Sequence, residues 1–159
     1  MKITIFTDGS SRGNPGPGGW GAIVLSESTV TELGGREDMT TNNRMELRSA
    51  IEALKNVKED DDVIVNADSE YVIKGITLWI QGWINKGWKT ASKKPVLNQD
   101  LWKELSEVTK NKNIKWQVVA GHAGIVGNER ADVIATSFAD NNSEKLYKGP
   151  IDAYTHKIV

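Results

Sequence analysis

The 159-residue chain has no cysteine, only two histidines, no surplus of charge of one sign and no apolar run long enough to span a bilayer. Without cysteine there is no disulfide framework, no cysteine-ligated zinc and no thiol nucleophile, so any metal must be held by oxygen or histidine. The opening MKITIFTDGS runs straight into a strand pattern and lacks the apolar centre of a signal peptide. A soluble, cytoplasmic protein is therefore expected. The glycine-rich GSSRGNPGPGG lacks the Gly-Lys-Ser/Thr ending of a nucleoside-triphosphate loop and precedes a strand, which excludes that kind of site. The length suits one domain with one substantial core.

The formal net charge of −1 hides a segregation of charge. Between Lys74 and Lys115 nine lysines (74, 86, 89, 93, 94, 103, 110, 112 and 115) face three acids (Asp100, Glu104 and Glu107), a local surplus of six. Four of the six tryptophans, Trp79, Trp83, Trp88 and Trp102, lie in the same segment. Lysines interleaved with aromatic rings suit a phosphate backbone with its sugars and bases. A solvated lysine-rich helix face over core tryptophans accounts for the same residues, and composition alone leaves both readings open.

The order of elements is that of a mixed α/β domain. Residues 2–7 alternate as a strand that ends at Asp8; Trp20 to Leu25 and Val30 to Leu33 give two more strands, expected as an antiparallel meander. Leu47, Ala50, Ile51 and Leu54 recur at helical spacing, with Asn43 as the expected N-cap and Glu46 in the first turn as in a capping box. Val63 to Val65 reads as a doubly buried strand stopping before Asp68. Short helices over Ser69 to Lys74 and Leu78 to Ile84, a basic loop, a helix from Asn98 to about Lys110, a strand over Lys115 to Ala120 and a final helix bearing Asp132 complete the pattern. Residues 1–140 are expected as the domain and 141–159 as a partly ordered tail.

Asp8, Glu46, Asp68 and Asp132 thus fall in four elements, near strand ends and helix starts, where ligands gather in such sheets. Three or four clustered carboxylates suit hydrolysis of a phosphodiester by two divalent ions, and magnesium, a hard ion, prefers oxygen donors. Taken singly, each acid has an ordinary explanation: a turn for Asp8 or Asp68, a capping box for Glu46, the helix dipole for Asp132. Such a cluster costs stability when no metal is bound, which argues for function if the four do meet. His122, between glycines in AGHAG, suits proton transfer near neutral pH and equally suits a surface loop.

The blocks FTDGSSRGNPGPGGWGA (6–22), TTNNRMEL (40–47), DSEYVIKGIT (68–77), GWKTASKKPVLNQDLW (87–102) and GHAGIVGNERAD (121–132) resemble the bacterial type 1 ribonuclease H family in order and spacing. That resemblance implies a five-stranded mixed sheet flanked by helices. It also implies a metal-dependent endonuclease that cuts the RNA strand of RNA–DNA hybrids and leaves 5′-phosphate and 3′-hydroxyl ends. Magnesium is the implied cofactor, with manganese as a possible substitute, and the four acids are its implied ligands. His122 matches the family's catalytic histidine, and Glu129 an acid near it. Asn14, Asn42 and Asn43 match residues that contact hybrid backbone and sugars, and Thr41 a threonine of the DNA phosphate pocket. Trp79, Trp83, Lys86, Trp88 and Lys89 match the basic protrusion that grips the DNA strand. Glu70 stands where the family most often has glutamine, so a sugar contact there becomes charged.

Two other classes compete. A hybrid-binding module without catalysis would lack one of the acids, and all four are present; a fold relative acting on DNA is disfavoured by the protrusion and by TTNNR. A free-standing monomer acting without a protein partner or membrane is expected.

Overall fold

The computed structural model of the protein describes residues 1–119 and 126–156. Three long strands open the chain: β1 (Lys2–Ser11), β2 (Gly16–Leu25) and β3 (Thr29–Thr40). Helix α1 (Asn42–Leu54) and strand β4 (Asp62–Ala67) follow. Next come α2 (Glu70–Lys74), one π-helical turn (Gly75–Trp79), α3 (Ile80–Asn85) and α4 (Gln99–Thr109). Strand β5 (Asn113–Val118), helix α5 (Val126–Ala139), the short strand β6 (Lys148–Pro150) and a single 3-10 turn (Ile151–Ala153) complete the fold.

The strands form one mixed sheet in the order β5-β4-β1-β2-β3-β6. The β1-β2-β3 meander is antiparallel, as its turn-rich connections require, while β4 and β5 join β1 in parallel. The five strands expected from the sequence are therefore joined by a sixth, which pairs with β3 over only three residues, Thr29 to Thr31. Nothing in the sequence marks KGP as a strand, because its pairing depends on a docked tail and not on side-chain alternation.

Alternation along the central strands divides the core between the two faces of the sheet. Ile3, Ile5, Ala22 and Val24 share a core with α1 and with α4, which packs on α1, where Leu47, Ile51, Leu54, Leu101, Trp102 and Leu105 are buried. Phe6, Ile23 and Val30 face α5, through Ala131 and Ile134. Helix α5 lies close on the sheet because Gly19, Gly21 and Gly34 have no side chain; a Cβ on Gly19 or Gly21 would strike the backbone carbonyl of Ala135 or Ala131, and one on Gly34 the Phe138 ring. Burial of this order on both faces supplies the main driving force for the fold.

Two local expectations are corrected. Thr41, not Asn43, is the N-cap of α1: its backbone is extended and its hydroxyl accepts the Arg44 N–H at 3.3 Å. Glu46 is consequently in the second turn and closes no capping box, which leaves its carboxylate free to serve another purpose. Strand β1 does not end at Asp8 but continues to Ser11, because β2 pairs with it residue by residue as far as Ser11↔Gly18.

Candidate active site

Asp8 sits where the sheet changes character. On one side it pairs with Gly21 of β2; on the other, the parallel ladder ends at Thr7↔Ala67, so the next residues, Asp8 and Asp68, stand level at the carboxyl end of β4. Glu46 reaches the same point from α1. The approach depends on Gly9, since a Cβ there would collide with the backbone at Met45 and Glu46 and lie 2.8 Å from the Met45 Cβ. Carboxylate oxygens of Asp8, Glu46 and Asp68 lie within 4.8 Å of one another. Asp8 and Glu46 are buried, Asp68 partly so.

Burial and crowding alter the acidity of this trio. The Asp8 carboxyl is pushed up to about 7, chiefly by desolvation and further by the charges of Asp68 and Asp132; the hydrogen bond with Glu46 and the Gly9 N–H, 2.8 Å from Oδ1, work in the opposite direction. Glu46 is raised well above the usual carboxylate range by burial and then by its proximity to Asp8. Its Oε2 is buried with no hydrogen-bond donor among the described residues. Three crowded carboxylates, two of them buried, fit a hard divalent cation, which would offset their charge and give Glu46 Oε2 a partner.

The fourth acid is placed differently. Asp132 is half-exposed on α5, and its charge is felt at Asp8, but it stands outside the 4.8 Å cluster. His122 lies outside the described residues. Glu129 is exposed in the first turn of α5.

The expected nucleic-acid contacts occur in two surface groups. Asn14, Thr41, Asn42 and Asn43 line one depression at the start of α1 together with Leu97 and Asn98. The Asn42 N–H donates to Asn14 Oδ1 at 3.2 Å, which joins the β1-β2 loop to the helix. Trp79, Trp83, Lys86 and Lys89 line a second depression with Gly82, Thr90 and Ala91. Trp88 is not in that lining; it packs at 6.4 Å from the Trp83 ring, with the Lys103 ammonium 5.6 Å above it. Trp102 is fully buried and donates from Nε1 to the Tyr71 hydroxyl at 3.0 Å, so it anchors the protrusion from below. Glu70 is exposed in the first turn of α2 and pairs with Lys74 at 3.2 Å.

Two contributors escape a reading of the sequence. Gly9 was available in TDGS as a glycine directly after the first acid, a signal of close backbone approach. The Arg44 guanidinium, bonded at 2.9 and 2.7 Å to both oxygens of Asp100, ties the start of α1 to α4, and no local pattern announces a pair so far apart in sequence.

The family model for RNase H matches residues 1–140. A protein of Cupriavidus metallidurans named ribonuclease H is 54% identical over 135 residues, 85% of this chain and 93% of its own length. One of Pseudomonas fluorescens with the same name is 51% identical over 149 residues, 94% of this chain and 98% of its own. Among solved structures, LC9-RNase H1, described as a type 1 RNase H with the type 2 active-site motif, superimposes with a TM-score of 0.80 at 31% identity, covering 93% of this chain and 77% of the other. LC11-RNase H1 in complex with an RNA/DNA hybrid does so with a TM-score of 0.66 at 26% identity, covering 87% and 97%.

Proposed function

The chain belongs to the ribonuclease H family, a hydrolase acting on RNA, and from that premise we propose that it makes internal cuts in the RNA strand of RNA–DNA hybrids, leaving 5′-phosphate and 3′-hydroxyl ends. The observation that carries this reading is the meeting of Asp8, Glu46 and Asp68 from three elements, with their oxygens within 4.8 Å in a buried setting. These three residues, with Asp132 at the margin, would hold the divalent ions, taken here as magnesium with manganese as a substitute. Bound ions of this kind neutralise charge on the phosphoryl oxygens and activate a water for in-line attack.

The residues of the chain itself supply the rest. The burial of Asp8 and Glu46 would strengthen their hold on a cation, and Gly9 keeps α1 near enough for Glu46 to share it. His122 is assigned proton transfer or product release. Asn14, Asn42 and Asn43 are assigned the hybrid backbone and the sugars whose 2′-hydroxyls mark RNA, and Glu70 a sugar contact; Thr41 takes a DNA phosphate. Trp79, Trp83, Trp88, Lys86 and Lys89 take the DNA strand, giving a requirement for a hybrid without sequence readout. Action as a monomer in the cytoplasm belongs to the same reading.

A panel of labelled substrates tests it: hybrid, single-stranded RNA, duplex RNA and duplex DNA, each with and without magnesium, with the product ends identified. Cutting of the hybrid's RNA strand alone, dependent on metal and with 5′-phosphates, is expected. Cutting of duplex DNA, or hybrid binding with no cleavage under any divalent metal, contradicts it.

A further inference from the structure

Outside the carboxylate trio, the most elaborate buried polar cluster of the described residues surrounds Glu32 on β3. Its side chain is fully buried, and its two oxygens accept four hydrogen bonds. Two come from Arg130 on α5, from Nε at 2.7 Å and Nη2 at 3.1 Å. The other two come from the segment after α5: the Tyr147 N–H at 2.9 Å and the Tyr154 hydroxyl. The third side of Arg130 is closed by Glu144 at 2.7 Å, and the Glu144 N–H returns to α5 at Ser137 Oγ, 3.0 Å away. Tyr147 and Tyr154 pack ring to ring at 5.0 Å over the cluster.

These residues hold one flank of α5. On a helical wheel, Ala131, Ile134 and Ala135 point to the sheet, and Arg130 and Asp132 fall on opposite sides of that line. With a helix radius of about 5 Å, a roll of about 10° about the axis moves a side chain on the far flank by about 1 Å. Metal ligation tolerates only about 0.2 Å. Asp132 is the acid that stands outside the compact trio, so its contribution depends most on how α5 is set.

We infer that the segment 144–154, clamped on Glu32 and Arg130, sets the roll of α5 and so positions Asp132 for the metal. This rests on the metal-dependent reading above. It assigns a working role to a part of the chain that lies beyond residue 140, where the family match ends. Glu32, Arg130 and Tyr154 are positioning residues; none of them would touch the ion or the substrate.

The test uses the full chain with Tyr154→Phe, which removes one hydroxyl and keeps the ring, and with Glu144→Gln as a milder second variant on the rim of the same cluster. Magnesium affinity is measured by calorimetry without substrate, alongside circular dichroism and kinetics on a hybrid. Tyr154→Phe is expected to fold normally, to bind magnesium roughly three- to tenfold more weakly, and to recover kcat at saturating magnesium with KM for the hybrid unchanged. Glu144→Gln is expected to shift magnesium affinity the same way by less, and it decides the matter if Tyr154→Phe does not fold. Folded variants whose magnesium affinity equals that of the wild type, even with a lower Tm, overturn the inference and leave the proposed function standing. A wild type that binds no magnesium and cuts no hybrid removes the metal site itself, and both readings fall together.

Discussion

At Asp8, burial works against charge, and the consequence for stability has a definite sign. Its proton is held to about pH 7 in the folded chain, against an ordinary value of 3.8. Below about pH 4 the carboxyl is protonated in folded and unfolded chains alike and the site does no harm. As the pH rises towards 7 the unfolded chain ionises freely while the folded chain resists, so the stability present at low pH is progressively lost. Asp8→Asn does not titrate and escapes this loss. Thermal unfolding in chelator should therefore show the variant gaining on the wild type between pH 4 and pH 7, by on the order of 4 kcal/mol at the upper end, with magnesium cancelling the difference. A gap that does not change with pH would show that burial does not hold the Asp8 proton in the folded protein.

The same scale shows what a sequence reveals of a site. Asp8 and Asp68 stand out because each follows a β-rich run and Glu46 because it precedes the apolar positions of α1, although β1 continues to Ser11 and Glu46 lies in the second turn. Their convergence is another matter, since it depends on Gly9 and on the register of β1 against β4, neither of which is a local property. The capping explanation for Glu46 failed because Asn43 is the better cap by residue type, whereas the extended backbone at Thr41 is what makes the cap.

Among elements, the approach of α1 to β1 is the most exacting. A methyl group at Gly9 has to displace the backbone at Met45 and Glu46. Gly9→Ala should thus cost about 1–3 kcal/mol in unfolding experiments, as overpacking does, and should raise the magnesium concentration for half-maximal hybrid cleavage by moving Glu46. A variant as active and as stable as the wild type would mean that α1 yields there at little cost. The meander, the presence of strands β4 and β5 and the helices α1, α4 and α5 were legible from periodicity, while the parallel pairing of β4 and β5 was not. Strand β6 was not, for its three residues owe their place to the anchoring of Tyr147 and Tyr154 on Glu32, and contacts made across more than a hundred residues leave no trace in a local pattern.

At the scale of the whole molecule the charge is near balance, yet the lysine surplus is gathered on the segment that carries the exposed tryptophan face. Association with a hybrid should therefore depend on salt through that face and not through net charge. Lys86→Ala and Lys89→Ala should each weaken hybrid binding and reduce the slope of log affinity against log salt by about 0.7–0.9, with magnesium affinity unaltered. An unchanged slope would show that these lysines meet no phosphate. Among the described residues no helix is long and apolar enough to cross a membrane, and that segregated surface is the natural place for a polyanion.

The proposed function turns on a tie between the carboxylate trio and the cutting of a hybrid. It is tested most directly by following a hybrid labelled on its RNA strand, with magnesium titrated, in the presence of wild type and of Asp8→Asn, while hybrid binding is measured in parallel. Magnesium-dependent RNA cleavage by the wild type is expected, with loss of at least about 10³-fold in rate for the variant and hybrid affinity largely retained. A variant that still cuts at near wild-type rate would contradict it, because the buried acid at the centre of the cluster would then have no part in the chemistry.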